Sequence, residues 1–262
     1  MDMLTSLNPF DVYSRFRLYG HIWGELRDLI ARTESSYPLD VRLAHAAHGS
    51  LKFPDAYVLA QILLRYRPRT ILEIGSFLGF STRWLLEVTR DWSPVITAID
   101  PNIRHRVFDS PRNFVEELNS GFYPGRLEIV TGFFGSHDGN VYYDYEHYEP
   151  KRDRAYVNEL IRDRAAIDRP WDRKFDFIFI DGDHSYESVM NNFETAIGLL
   201  NEKGTINFHD ALSWTDVNRA LKDIKTEYGE KADVSVYGRI DRMLLRPFRV
   251  QNDGIGFFRL LG

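Results

Sequence analysis

Leu72-Glu73-Ile74-Gly75-Ser76-Phe77-Leu78-Gly79-Phe80-Ser81-Thr82 is the stretch from which the rest of the chain can be read. The run Thr70–Ile74 leading through it is short and mostly apolar, as expected of a strand buried on both faces. Glycines 75 and 79 punctuate the turn, and Thr82–Thr89 follows at helical period with Trp84, Leu85 and Val88 on one side. Strand, glycine turn and helix open a βα unit, and the helix N-terminus offers backbone N–H groups to an anion. In a dinucleotide site the spacing is G-x-G-x-x-G, whose second glycine lets a pyrophosphate approach the backbone. Phe77 and Phe80 stand at the second and third of those positions, and no Gly-Lys-Ser/Thr follows, which disfavours a pyrophosphate or triphosphate ligand.

Outward from this turn, Val95–Ile99, Leu127–Thr131, Phe175–Ile180 and Thr205–Phe208 read as further buried strands. Helical segments alternate with them, the pattern of an α/β fold with a parallel sheet covered by helices on both faces. Ser185–Leu200 carries Val189, Phe193, Ile197 and Leu200 on one face, with Gly204 as its stop. Thr215–Tyr228 carries Val217, Leu221, Ile224 and Tyr228, with Thr215 placed to cap its start. Val234–Tyr237 and Ile255–Leu260 suggest a closing antiparallel pair. Before the first strand, Pro54–Tyr66 reads as a helix, and Met1–Leu51 as one or two helices with a loop at Ser35–Pro38. The expected division is an N-terminal helical lid over residues 1–53 and a ligand-binding domain over 54–262. Residues 133–174 are too long for an ordinary connection and read as an insertion near the active site. Within it Tyr142, Tyr143, Tyr145 and Tyr148 precede the charged helical stretch Lys151–Ile167 and either pack it down or wall a substrate site.

Composition narrows the classes. The chain has 262 residues, is 44% hydrophobic and 14% aromatic, and so has material for a large core. It has no cysteine, which excludes disulfides, thiolate metal sites and a cysteine nucleophile; any metal must sit on oxygen or imidazole. A formal charge of -5 offers no field for a polyphosphate, so nucleic acid is not an expected partner. No run approaches the ~20 apolar residues of a membrane span, and Met1–Asp11 lacks the pattern of a secretory leader, so a cytoplasmic protein without membrane contact is expected. Homodimerisation stays open.

Asp100 ends the second strand, 21 residues after Gly79, where a carboxylate can accept both hydroxyls of a ribose; an Asp-Pro pair is also a turn signal. A nucleoside without a phosphate chain, whose own carboxylate takes the helix N-terminus, answers this combination, and S-adenosylmethionine (SAM) has that description. Further along, strand four ends in Asp181-Gly182-Asp183-His184-Ser185-Tyr186, and strand five in Phe208-His209-Asp210. Carboxyl ends of neighbouring parallel strands converge, so Asp181, His209 and Asp210 can meet. Such a cluster suits methyl transfer to oxygen. A divalent cation there, magnesium or manganese, would lower the pKa of a bound hydroxyl, and a nearby His could take its proton. The plainer alternatives are that Asp183 or Ser185 caps the following helix, that His209 is a core histidine and that His184 is a surface loop residue.

The motif Leu72–Thr82 resembles the first motif of class I SAM-dependent methyltransferases, in the branch of catechol and caffeoyl-coenzyme A O-methyltransferases, over roughly Pro54 to Ile224. The resemblance implies a Rossmann-like, seven-stranded, mostly parallel sheet with an antiparallel final strand. It implies that Glu73 and Gly75, with Ser76, Phe77 and Gly79 of the same turn, line the methionine end of SAM, that Ser81 meets its carboxylate and that Asp100 holds its ribose, with Asp181 bordering the cofactor as well. After the third strand, Gly132-Phe133-Phe134 replaces the small or polar residues usual there, pointing to aromatic contact with adenine through Phe133 beside Gly132. The catechol-type metal site, an Asp after strand four and an Asp-Asn pair after strand five, maps onto Asp181, Asp210 and Ala211. The Asn is therefore absent, and His209 or Asp183 would have to stand in as ligand. The family's base, three residues after the strand-four Asp, falls on His184. The expected activity is thus methyl transfer to a hydroxyl of a small molecule, with His184, Asp181 and Asp210 at the chemistry. Its rivals are a non-catalytic SAM-fold accessory module serving a protein partner and an NAD-dependent oxidoreductase.

Overall fold

The computed structural model describes residues 8–102, 105–122, 125–135, 171, 173–238 and 253–261. The tyrosine cluster and the stretch 151–167 lie outside the described residues. A seven-stranded sheet organises the molecule: β1 (Thr70–Ile74), β2 (Val95–Asp100), β3 (Leu127–Thr131), β4 (Phe175–Ile180), β5 (Leu200–Phe208), β6 (Ala232–Tyr237) and β7 (Ile255–Leu260). Its order is β3-β2-β1-β4-β5-β7-β6. The first five strands pair in parallel, and β7 is antiparallel to both β5 and β6. The chain reverses between β1 and its neighbours β2 and β4, and at this switch point a parallel sheet opens a crevice at its carboxyl edge.

The strand interior alternates between two cores. Ile71, Phe177, Phe179 and Phe257 face a cluster built by α1 (Pro9–Arg32), α2 (Leu39–Gly49), α3 (Phe53–Tyr66), α4 (Phe80–Val88) and α5 (Pro111–Leu118). Leu72, Ile178, Ile206 and Phe258 face the opposite cluster, closed by α6 (Tyr186–Leu199) and α7 (Thr215–Tyr228). One-residue alternation between two buried faces is why these strands read as unbroken apolar runs. Ile22, Leu26, Leu29 and Ile30 of α1 belong to the same cluster as α3 and α4. Among the described residues no helix is long and apolar enough to cross a membrane.

Two local expectations are corrected. Gly204 does not stop a helix, since α6 ends at Leu199 with Leu200 already extended, and β5 starts at Leu200 rather than Thr205. A Cβ on Gly204 would lie 2.7 Å from Leu200 Cδ1 and 3.0 Å from the Asp176 carbonyl, so this glycine admits the irregular pairing of β5 with β4. Thr215 is the first residue of α7; the capping position is Trp214, which makes no side-chain cap bond. Trp214 is instead drawn toward the site described next.

Candidate active site

The ends of β1, β2 and β4 are knitted by backbone bonds. Gly75 N–H donates to Ile99 O and Asp181 N–H to Ile74 O, both at 2.8 Å. Gly75 has φ +86°, and a Cβ there would lie 2.0 Å from the Asp181 carbonyl oxygen, so no other residue fits. Phe77 follows in the left-handed region at φ +45°. Its ring meets His105 edge-on at 5.0 Å and Phe108 at 5.6 Å, and lies against Gly49 at the end of α2. The side chain that excludes a pyrophosphate is thereby a clasp between three segments.

Asp100 accepts from the N–H groups of Ser76 and Phe77 at 3.1 and 3.0 Å through Oδ2, and from Asn102 N–H at 2.9 Å through Oδ1. Two N–H groups of the turn are therefore taken by Asp100, while the same side chain borders the cleft. Burial pushes its pKa up, against those three N–H bonds. The cleft, about 370 Å³, is bordered by Gly75, Ser76, Phe77, Ser81, Asp100, Gly132, Phe133 and Asp181 among the residues expected to hold SAM.

Glu73 and Gly79 are not on that wall. Glu73 is wholly buried beneath the turn and accepts from Thr82 Oγ1 at 2.5 Å. Burial pushes its pKa up to about 8. Gly79 sits at the start of α4 with φ +81°, where a Cβ would be 2.8 Å from both Asn119 Nδ2 and the Val115 Cα. It is a packing glycine against α5. Sequence position alone could not separate these two from the lining residues, because one lies beneath the turn and the other behind it.

At the other end of the cleft, β4 and β5 deliver Asp181, His184, His209 and Asp210 together. His184 Nε2 lies 2.7 Å from Asp210 Oδ2, and the Trp214 ring is stacked on the His184 imidazole at 4.7 Å and 10°. Ser213 Oγ donates to Asp210 Oδ1 at 2.6 Å, and Asp210 has φ +60°, so the Asp210–Trp214 turn is held in one shape. His209 Nδ1 is 3.0 Å from Asp181 Oδ1 and 3.3 Å from Asp210 Oδ2, while Nε2 faces Asp55 Oδ2 at 3.7 Å. Burial works against charge on His209, but the Asp181, Asp210 and Asp55 carboxylates outweigh it and hold its pKa well above the ordinary value. Burial likewise opposes charge on Asp210, and the bonds from His184 and His209 overcome it to hold its pKa below the usual range. Asp183 stays apart: it accepts from Ser185 N–H at 2.9 Å, and Ser185 is the residue that caps α6, so the capping alternative holds for Ser185 and not for Asp183.

Of the groups that could hold a cation here, Asp181, His184 and Asp210 bring ligand atoms within 4.8 Å of one another. The two carboxylates suit magnesium, and the imidazole among them also admits manganese, iron or zinc. His209 is not in that set; its Nδ1 faces the same two carboxylates, and the ring falls in a second set of possible ligands with Asp55 and Asp253. The donor set fits a cation, which Asp181, His184 and Asp210 would hold.

Four residues were not foreseen: Asp55, Lys52, Asp253 and Trp214. Asp55, on α3 and fully buried, accepts from Asp253 N–H at 3.0 Å and Gly254 N–H at 2.9 Å, locking the approach to β7 against His209. Lys52 pairs with Asp253 beside it. The only trace of this group in the sequence was a lone acid among apolar residues, in Pro54-Asp55-Ala56-Tyr57-Val58. Trp214 left no trace at all.

A family profile described as a methyltransferase domain matches residues 72–211. No curated protein matches the chain. Among solved structures, the SAH-bound Podospora anserina methyltransferase PaMTH1 superposes with TM-score 0.54 at 16% identity, covering 99% of this chain and 100% of that one. The Bacillus cereus O-methyltransferase in complex with SAH gives 0.55 at 15% identity, covering 92% and 91%. TomG, the Streptomyces achromogenes O-methyltransferase of tomaymycin synthesis in complex with SAM, gives 0.52 at 15%, covering 81% and 82%. At these identities the likeness is one of fold.

Proposed function

The chain belongs to the methyltransferase-domain family, and from that premise we propose that it transfers the methyl group of SAM to a hydroxyl of a small molecule. One observation carries the reading: a single cleft is bordered by the Gly75 turn and Asp100 at one end and by the His184–Asp210 pair at the other. SAM supplies an activated sulfonium methyl, so the protein has to align the acceptor and manage one proton. Asp100, already oriented by three N–H donors, keeps lone pairs on the cleft side for the ribose hydroxyls, and Phe133 with Gly132 offers an apolar edge for adenine. His184 is the base. Asp210 engages its Nε2 edge and Trp214 covers its face, which fixes the imidazole before the acceptor arrives. His209, held by three carboxylates, places a positive charge beside Asp181 and Asp210.

The test is calorimetry with SAM and NAD side by side, followed by His184→Ala. Binding of SAM but not NAD is expected, and the variant should keep SAM affinity while transfer falls by roughly 10²- to 10⁴-fold. Undiminished transfer in His184→Ala, or no affinity for SAM, would overturn the proposal. Cation assistance is the alternative within the same reading. Transfer that collapses in EDTA and returns with manganese would favour it, whereas transfer that survives EDTA favours the His209 charge.

A further inference from the structure

Asn192 has no part in the mechanism above, yet it borders the same cleft. It lies in the second turn of α6, where Val189, Phe193 and Ala196 pack into the core, and it is only 6% exposed. Among the described residues its carboxamide has no hydrogen-bond partner. Asparagine is a poor helix former, and an amide taken out of water without a partner is destabilising, so packing of the helix gives no reason for this residue type here. A buried, unpaired carboxamide on the wall of a cleft calls for a partner that arrives from the cleft.

Two glycines fix where in the cleft that amide stands. A Cβ on Gly135, just past the exit of β3, would lie 3.1 Å from Asn192 Oδ1, and a Cβ on Gly182, at the exit of β4, would lie 3.9 Å from Asn192 Nδ2. The carboxamide therefore sits between the exits of β3 and β4, beside the segment that brings Gly132 and Phe133 to the cleft wall. That segment, Gly132-Phe133-Phe134-Gly135, carries no polar side chain of its own. In this chain the β3 exit supplies apolar surface, and the polar group at the same corner comes from α6.

We propose that Asn192 is the residue that selects the nucleobase of the cofactor, pairing its carboxamide with the 6-amino group of adenine and the ring nitrogen next to it. The assignment rests on the proposed function for SAM as the cofactor and for Gly132 and Phe133 as the adenine wall. Adenine presents a donor and an acceptor side by side, and a carboxamide answers them with an acceptor and a donor. The apolar wall would hold the face of any purine, whereas Asn192 would distinguish a purine that carries the amino group from one that lacks it.

Calorimetry on the full chain tests this with two pairs of probes: SAH against its analogue lacking the 6-amino group, and adenosine against purine riboside. The wild-type chain is expected to bind the amino member of each pair about tenfold more tightly, the size of gap that one buried polar pairing supplies. In Asn192→Leu, which keeps the volume and removes the amide, the ratio should fall to near one through loss of SAH affinity alone. The melting temperature of the ligand-free variant should hold or rise, since an unpaired buried amide has been removed. Asn192→Ala, with room to spare in the cleft, should give the same ratio. A wild-type ratio near one, or a ratio that both variants leave intact while overall affinity falls or not, overturns the assignment. If the wild-type chain binds no SAH, the methyltransferase reading fails separately, and the adenosine pair still judges Asn192; absence of binding to adenosine as well overturns both.

Discussion

A methyl group on Gly75 would press on the Asp181 carbonyl at 2.0 Å, and both are backbone positions at adjoining strand ends. Gly75→Ala should therefore destabilise the fold by about 3 kcal/mol or more, read by urea denaturation, and remove SAM binding in whatever protein stays folded. Glu73 makes a different prediction. Its folded pKa, raised to about 8 from 4.5, means that the unfolded chain loses this proton first as pH rises. The stability it contributes is complete below about pH 4.5 and declines through pH 8, by on the order of 5 kcal/mol across that window. Glu73→Gln, which mimics the neutral acid, should flatten this decline in melting curves taken from pH 5 to 8. The sequence named Glu73 as part of the motif but not its burial, because the strand's alternation says which face a residue takes and not how deep the turn above it lies.

At the scale of elements, Asp55 ties α3 to the approach of β7 by accepting two buried N–H groups. Asp55→Ala would orphan both donors and remove a carboxylate from His209. A loss of about 2–5 kcal/mol is expected in chemical denaturation. The start of α7 carries a functional counterpart, since Trp214 at its capping position stacks on His184. Trp214→Leu should lower the turnover rate by about tenfold while leaving SAM affinity as it was, and Trp214→Phe should restore much of it. The parallel strands were legible because burial on both faces writes itself as apolar runs. The start of β5 was not, since Asn201-Glu202-Lys203-Gly204 looks like a loop and is extended only through irregular pairing with β4. Thr215 was misassigned for a related reason: capping propensity favoured it, but the site on the other side of the turn claims the preceding residue.

On the scale of the molecule, the two-faced sheet explains how far sequence could reach into the site. Asp181, His184, His209 and Asp210 were readable because topology alone brings strand ends together. Asp55, Lys52 and Asp253 were not, since the hydrogen bond uniting Asp55 with Asp253 spans 198 residues and depends on how β7 enters the sheet. The same organisation bears on the N-terminal helices. Ile22, Leu26 and Ile30 share a core with α3 and α4, so a chain begun at residue 54 is expected to aggregate or melt early in a thermal scan rather than to survive as an uncovered domain. The sheet order carries one more implication. β7 lies between β5 and β6 although it follows both in the chain. Until residues 255–260 have been made, β6 has no strand to pair with in this sheet and the edge of β5 stays open. A stalled or prematurely terminated product would then present two unpaired strand edges to the quality-control machinery, however complete its cofactor-binding half had become.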